Sequence, residues 1–107
     1  MKKGPHFKAL LTFLSTEDGG IATPVSSGFR TAIQFPFDSR EFLANHTFLE
    51  IDLVFPGDII NVDITLLDSG DALEKAYEGL DFELLLNSNL IGSGTIAQLY
   101  PELPSYK

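Results

Sequence analysis

Residues 55–66 read FPGDIINVDITL and combine a tight turn with a strand pattern. Proline fixes φ at the second turn position and glycine accepts a positive φ at the third, so Pro56 and Gly57 are predicted to reverse the chain. Apolar and polar side chains then alternate, which is the pattern of a β-strand with one buried face. The side chains predicted to point inward are Ile60, Val62, Ile64 and Leu66.

The same alternation recurs along the chain, whereas helical periodicity is almost absent. The first of these segments, residues 7–14, places Phe7, Ala9, Leu11 and Phe13 on one face. Strands are also predicted at residues 29–37, 48–53, 80–86 and 90–100. Together with residues 60–66 they make six strands, and no helix is long enough to cover a sheet. The sequence therefore predicts one all-β domain, a barrel or a sandwich.

Alternation also predicts which side chains fill the interior. Two glycines, Gly92 and Gly94, fall within the last strand, where they are expected to leave room inside a crowded barrel. The predicted core contains Leu11, Phe13, Ile51, Leu53, Val62, Ile64, Phe82 and Leu84.

Residues 68–78 depart from the strand pattern. Asp71 is placed to cap a short helix at residues 72–77, and Gly79 is expected to end it with a positive φ. Leu73 and Tyr77 are four residues apart and share one face of that helix. This face could cover an end of the barrel or present apolar surface to a partner, and we predict a buried Leu73 and a partly exposed Tyr77.

A chain of 107 residues has the size of one domain, predicted to span residues 1–107 with frayed ends at residues 1–6 and 101–107. Cysteine is absent, which excludes disulfides and thiolate metal ligands and suits a reducing cytoplasm. The start loosely resembles a signal peptide, but Lys8 and Thr12 interrupt its apolar stretch, so a first strand is favoured. We predict a cytoplasmic protein.

Charge argues against two classes of partner. The net charge is −8, and residues 41–102 contain twelve acidic residues against the single base Lys75. Nucleic-acid affinity depends on Lys and Arg that displace counterions from phosphates. Anionic membrane surfaces repel an acidic protein for the same reason. We expect neither a nucleic acid nor a membrane as the partner.

Candidate chemical groups are few. The only two histidines are His6 and His46, and no third ligand accompanies them at zinc-site spacing, so structural or surface roles are favoured. Four carboxylates could converge on a hard cation, but solvated strand faces are the favoured interpretation. These carboxylates are Glu50, Asp52, Asp58 and Asp63. No nucleophile motif is present, so we expect no catalytic residues, no metal and no cofactor.

Three groups of motifs occur in a specific order. The first runs from residue 13 to residue 30 and contains an acidic turn, Gly19-Gly20, Thr23-Pro24 and Phe29-Arg30. The second is the Phe-Pro-Gly-Asp turn at residues 55–58. The third is Gly-Leu-Asp-Phe at residues 79–82 with Ile-Gly-Ser-Gly at residues 91–94. Their order and spacing resemble the C-terminal (third) domain of elongation factor Tu.

That resemblance implies a six-stranded Greek-key barrel that carries an insertion at residues 68–78. It does not imply GTP hydrolysis, because the family's GTPase domain is a separate module and no phosphate-binding loop is present. The family's tRNA grip uses an Arg-His pair and a Gln, and the matching positions here are Ile21, Ala22 and Ala32. We therefore expect neither GTP nor tRNA to bind.

The combined interpretation is a non-enzymatic module that binds an unknown protein partner, and the alternative is a small-molecule or nucleic-acid binder that uses the barrel surface. A domain that packs on neighbours in the related family should keep some exposed apolar surface. Arg30 could contact a ligand, although a structural ion pair is favoured. The candidate interaction surface comprises Val25, Phe29, Arg30, Phe37, Phe42 and Tyr77.

Overall fold

The computed structural model describes residues 5–21, 23–49, 51–67 and 72–100. Within these ranges the chain forms short strands, one α-helical turn (α1, Ala72–Lys75) and one 3₁₀ turn (Thr16–Asp18). The strands are β1 (Phe7–Phe13), β2 (Val25–Ser26), β3 (Arg30–Gln34), β4 (Phe42–Phe48), β5 (Leu53–Val54), β6 (Ile59–Leu66), β7 (Asp81–Leu86) and β8 (Asn89–Leu99).

Six of these strands close into an antiparallel barrel in the order β1-β6-β4-β3-β7-β8, and β8 pairs again with β1. The two short strands β2 and β5 form a separate ribbon. Because β1 pairs with β6 and β8 rather than with β3, the chain crosses one end of the barrel between β1 and β3. This is Greek-key connectivity, so the predicted fold is confirmed.

The barrel interior is apolar and receives side chains from all six strands. Ring packing is dense around Phe82, whose ring meets those of Phe7 and Phe35 edge-on, each at a centroid distance of 5.9 Å. Six of the predicted core residues are confirmed as buried: Leu11, Phe13, Val62, Ile64, Phe82 and Leu84.

The other two core predictions are wrong, because Ile51 is 40% exposed and Leu53 is 44% exposed. The third barrel strand begins and ends earlier than predicted, at Phe42–Phe48. Apolar residues stand at both even and odd positions between residues 42 and 53, so alternation alone does not decide which set points inward. Pairing with β6 decides it, since Phe48 lies opposite the buried Val62 and the chain leaves the barrel after that pair.

The two glycines of β8 point into the interior, as predicted. A Cβ atom at Gly94 would lie 2.4 Å from Cζ of Phe82 and 2.6 Å from Cδ2 of Leu11. A Cβ atom at Gly92 would lie 2.5 Å from the Thr12 carbonyl oxygen on the neighbouring strand. Glycine at these positions therefore lets the large side chains of β1 and β7 fill the barrel.

The turn at residues 55–58 also forms as predicted. The Asp58 N–H donates to the Phe55 carbonyl oxygen at 3.0 Å, and Gly57 has a φ of 88°. The Asp58 carboxylate accepts a further hydrogen bond from the Phe55 N–H at 2.9 Å. These two hydrogen bonds hold the turn that precedes β6 in one conformation.

The helix after β6 is shorter than predicted and ends at Lys75, and Asp71 lies outside the described residues. Gly79 has the predicted positive φ of 95°, but it belongs to a separate turn that the Leu80 N–H closes on the Tyr77 carbonyl. The fully buried residue of the helix is Ala72, whereas Leu73 is only half-buried, so that prediction is wrong. Leu73 packs against the core while it stays partly exposed.

Tyr77 is 58% exposed, as predicted. Replacing Tyr77 with Ala is therefore expected to change the free energy of unfolding by less than about 1 kcal/mol, or a few degrees in Tm. Thermal unfolding monitored by circular dichroism measures this change. Leu80→Ala in the same turn is the matched control. It removes a side chain that is only 4% exposed, so it should cost about 2–5 kcal/mol. An equal loss in both variants would make Tyr77 part of the core.

Candidate interaction surface

Exposed apolar side chains gather on the outer wall of the barrel where β1, β6 and the end of β4 meet. Leu10 on β1 lies opposite Asn61 on β6, and the Leu49 N–H donates to the Asn61 carbonyl from the other side. Ile59 lies two residues before Asn61 and points to the same outer face. Diagonal residues on one sheet face are neighbours, so Leu10 and Leu49 each lie diagonally beside Ile59, with Asn61 between them.

The chain between β4 and β6 extends this surface. Phe55 begins the hydrogen-bonded turn that leads into Ile59, and β5 lies just before that turn. Each of the six side chains is between 40% and 62% exposed. We call them the apolar patch: Leu10, Leu49, Ile51, Leu53, Phe55 and Ile59.

The apolar patch lies in acidic surroundings. Asp52 is exposed between two patch residues, and Asp58 is half-buried in the turn. The sequence from residue 41 to residue 74 contains eight acidic residues and no Lys or Arg. This segment supplies five of the six patch side chains, and all of its charged residues are acidic.

The predicted interaction residues do not form one surface. Val25 and Phe29 are half-buried against the core near the β2–β5 ribbon, where Ser26 lies opposite the patch residue Leu53. Phe37 and Tyr77 are exposed at the other end of the barrel, after β3 and after α1.

The prediction for Phe42 is wrong, because its side chain is 5% exposed. It begins β4 on the inward face, contacts the Phe35 ring at a centroid distance of 5.8 Å and is covered by the Arg40 guanidinium at 5.2 Å. Phe42 therefore belongs to the core and cannot contribute to a binding surface.

Arg30 is exposed and lies opposite the neutral Asn45. Within the described residues it forms no ion pair, so the structural pair favoured from the sequence is not found there. The ion pair observed in that part of the chain joins Arg40 and Asp38 at 2.6 Å, and hydrogen bonds from Arg40 lower the pKa of Asp38 to about 2.

A shallow cleft of about 870 Å³ lies elsewhere on the wall, between the turn after β3 and the outer faces of β7 and β8. Its carboxylates are Asp38, Asp81 and Glu83, and no Lys or Arg is among the described residues that line it. Thr95 donates to Asp81 at 2.6 Å. This lining repels phosphate groups.

Both histidines have structural contacts. His46 is fully buried, and its Nε2 lies 2.6 Å from the Thr31 hydroxyl, while Nδ1 has no partner among the described residues. Burial lowers the pKa of His46 to about 4. His6 Nδ1 accepts a hydrogen bond from the Leu66 N–H at 3.0 Å.

The four carboxylates considered for a cation have other surroundings. Asp58 closes its own turn, and Asp63 accepts a hydrogen bond from the Tyr100 hydroxyl at 2.7 Å, which raises the pKa of Tyr100 to about 12. Asp52 is exposed, and the side chain of Glu50 lies outside the description. No group of three potential metal ligands occurs within the described part of the chain.

Comparison with protein-family models finds no family that matches this chain. In the ranges that the structure describes, no helix has the length and apolarity to cross a membrane. Three positions are assigned to a tRNA grip only by resemblance to elongation factor Tu. Of these, Ile21 is 6% exposed and belongs to the core, Ala32 is half-buried on β3, and Ala22 is outside the described residues.

Proposed function

We propose that this chain is a non-enzymatic protein-interaction module that docks a partner protein on the apolar patch. The observation that carries the proposal is the exposure, at 40% to 62%, of six apolar side chains that come from β1, the start of β6 and the chain between β4 and β6. Contiguous apolar surface of this kind is uncommon on monomeric proteins and marks interaction sites when polar residues surround it.

The module resembles the third domain of elongation factor Tu, on the three groups of motifs given above, and we propose that it lacks the GTPase and tRNA functions of that family. Support comes from the missing phosphate-binding loop and from the apolar residues at the tRNA-grip positions, of which Ile21 is buried. A cytoplasmic location is part of the proposal and is supported by the absence of cysteine.

The alternative function is binding of a small molecule or nucleic acid in the cleft between the turn after β3 and strands β7 and β8. The cleft has enough volume for a small ligand. Asp38 is paired with Arg40, but Asp81 and Glu83 still oppose a ligand that carries phosphate, so nucleic acid is the less supported of the two.

The proposal is tested by placing a charge in the apolar patch. Phe55→Asp and Ile59→Asp alter side chains that are 50% and 62% exposed, so the fold should be retained. Affinity capture from an extract of the native host, followed by a dissociation constant for the retained protein, should show binding at least about tenfold weaker than wild type.

Leu43→Asp is the matched control, because it adds the same charge at a leucine that is 59% exposed. Leu43 lies on the outer face of β4, roughly 20 Å along the strand from Leu49 and towards the opposite end of the barrel. This variant should retain the partner. A partner held equally well by all four proteins would show that the patch is not its binding site.

A further inference from the structure

We propose that the partner on the apolar patch presents an apolar centre bordered by Lys or Arg side chains, and that it is not a second copy of this chain. The inference rests on the proposed function and names the chemistry of the partner at the same surface. It depends on the charges that lie within and beside the patch.

The carboxylates near the patch are not neutralised locally. Asp52 is exposed between Ile51 and Leu53, and no Lys or Arg occurs in the sequence from residue 41 to residue 74. On the β1 side of the patch, Lys8 lies opposite Asp63 on β6. The charges of Lys8 and Asp63 are opposite. The charges of Asp52 and Asp58 are both negative, so the electrostatic potential beside the patch is negative.

A second copy fits this surface poorly. A two-fold interface would place the patch against itself and bring Asp52 and Asp58 close to the same residues of the other copy. Like charges brought together at an interface disfavour the pairing. Each copy also carries a net charge of −8, so repulsion opposes association before contact.

A partner with basic residues around an apolar centre matches both the exposed apolar side chains of the patch and the negative charge beside them. Its apolar centre removes the six patch side chains from water. Its Lys or Arg side chains face Asp52 and Asp58 at the rim, where opposite charges speed association and exclude partners of the wrong sign. Arginine and aromatic residues are also among the side chains enriched at interfaces.

The probe for this chemistry is a fluorescein-labelled amphipathic helical peptide built from leucine and lysine. Two matched peptides replace every lysine with glutamate or every leucine with serine. Fluorescence anisotropy at about 0.15 M salt should show binding of the leucine–lysine peptide, and affinities at least about tenfold weaker for the other two.

Two variants separate the patch from general attraction to an acidic protein. Ile59→Asp should weaken binding of the leucine–lysine peptide at least about tenfold, whereas Leu43→Asp, with the same added charge, should not. Asp52→Lys should weaken the leucine–lysine peptide and strengthen the leucine–glutamate peptide. Circular dichroism melts of each variant check that the fold is retained.

Equal effects of Ile59→Asp and Leu43→Asp, or failure of the leucine–lysine peptide to bind, would overturn the inference. So would a dimer in sedimentation equilibrium that Ile59→Asp dissociates. If the leucine–glutamate peptide binds better and Ile59→Asp still weakens it, the inference fails while the patch remains an interaction site. If the variants also leave capture of the host partner unchanged, the proposed function fails with it.

Discussion

Gly94→Ala is expected to lower the free energy of unfolding by about 1–3 kcal/mol, because the added methyl group overfills a closed core. Its Cβ would lie 2.4 Å from Cζ of Phe82 and 2.6 Å from Cδ2 of Leu11. The Phe82 ring cannot move away freely, since the rings of Phe7 and Phe35 pack against its edges. Thermal unfolding should show a fall in Tm of about 5 °C or more.

Two further variants show whether the cause is steric. Ser93→Ala changes the neighbouring exposed residue and should leave Tm within about 2 °C. Phe82→Leu shortens the side chain that the new methyl group meets, so the double variant Gly94→Ala/Phe82→Leu should lose less stability than the sum of the two single losses. If the stability losses of the two single variants are strictly additive, the loss in Gly94→Ala does not arise from contact with Phe82.

Acid is expected to destabilise the protein through His46. The unfolded chain binds a proton at this side chain below pH 6.5, whereas burial lowers the pKa in the folded state to about 4. The unfolded state therefore binds more protons between these two values, so the free energy of unfolding falls as the pH drops from 6.5 to 4. For a shift of this size the loss is on the order of 3 kcal/mol, and above pH 6.5 the group has no effect.

The double variant Thr31→Val/His46→Leu isolates this contribution. It removes both members of the buried 2.6 Å contact and leaves no unpaired polar group. Its stability should change little at pH 8 and should not show the His46 loss between pH 6.5 and pH 4, as measured by urea unfolding. The single variant His46→Leu should be less stable than the double variant at every pH, because it leaves the Thr31 hydroxyl buried without its partner. Parallel pH profiles for wild type and the double variant would contradict the prediction.

Local sequence was sufficient to predict an element where it allowed only one backbone conformation or only one buried face of a strand. The turn at residues 55–58 follows from Pro56 and Gly57, and β6 follows from the alternation of polar residues at positions 61, 63 and 65 with apolar ones. The inward glycines of β8 follow from their place in a strand of a small barrel. A six-stranded barrel was predicted from these local patterns and from the resemblance to elongation factor Tu.

The candidate site could not be predicted in the same way. Apolar residues occupy both faces between residues 42 and 53, so the sequence permits two registers that exchange core and surface. The register that places Phe48 opposite Val62 buries Phe42 and His46, and Ile51 and Leu53 are exposed. Residues expected in the core thus belong to the apolar patch, while Phe42, expected on the surface, is buried.

The sequence by itself determined the strand period, the turns, the acidic charge and the glycine positions, because each depends on neighbouring residues or on composition. Only the tertiary structure decided which face of β4 points inward and which apolar side chains meet on the outer wall. Leu10 and Leu49 are far apart in sequence and reach the same outer face only when β1 and the end of β4 align on either side of Asn61. A surface assembled from distant segments depends on strand register, and register is fixed by pairing across the whole barrel.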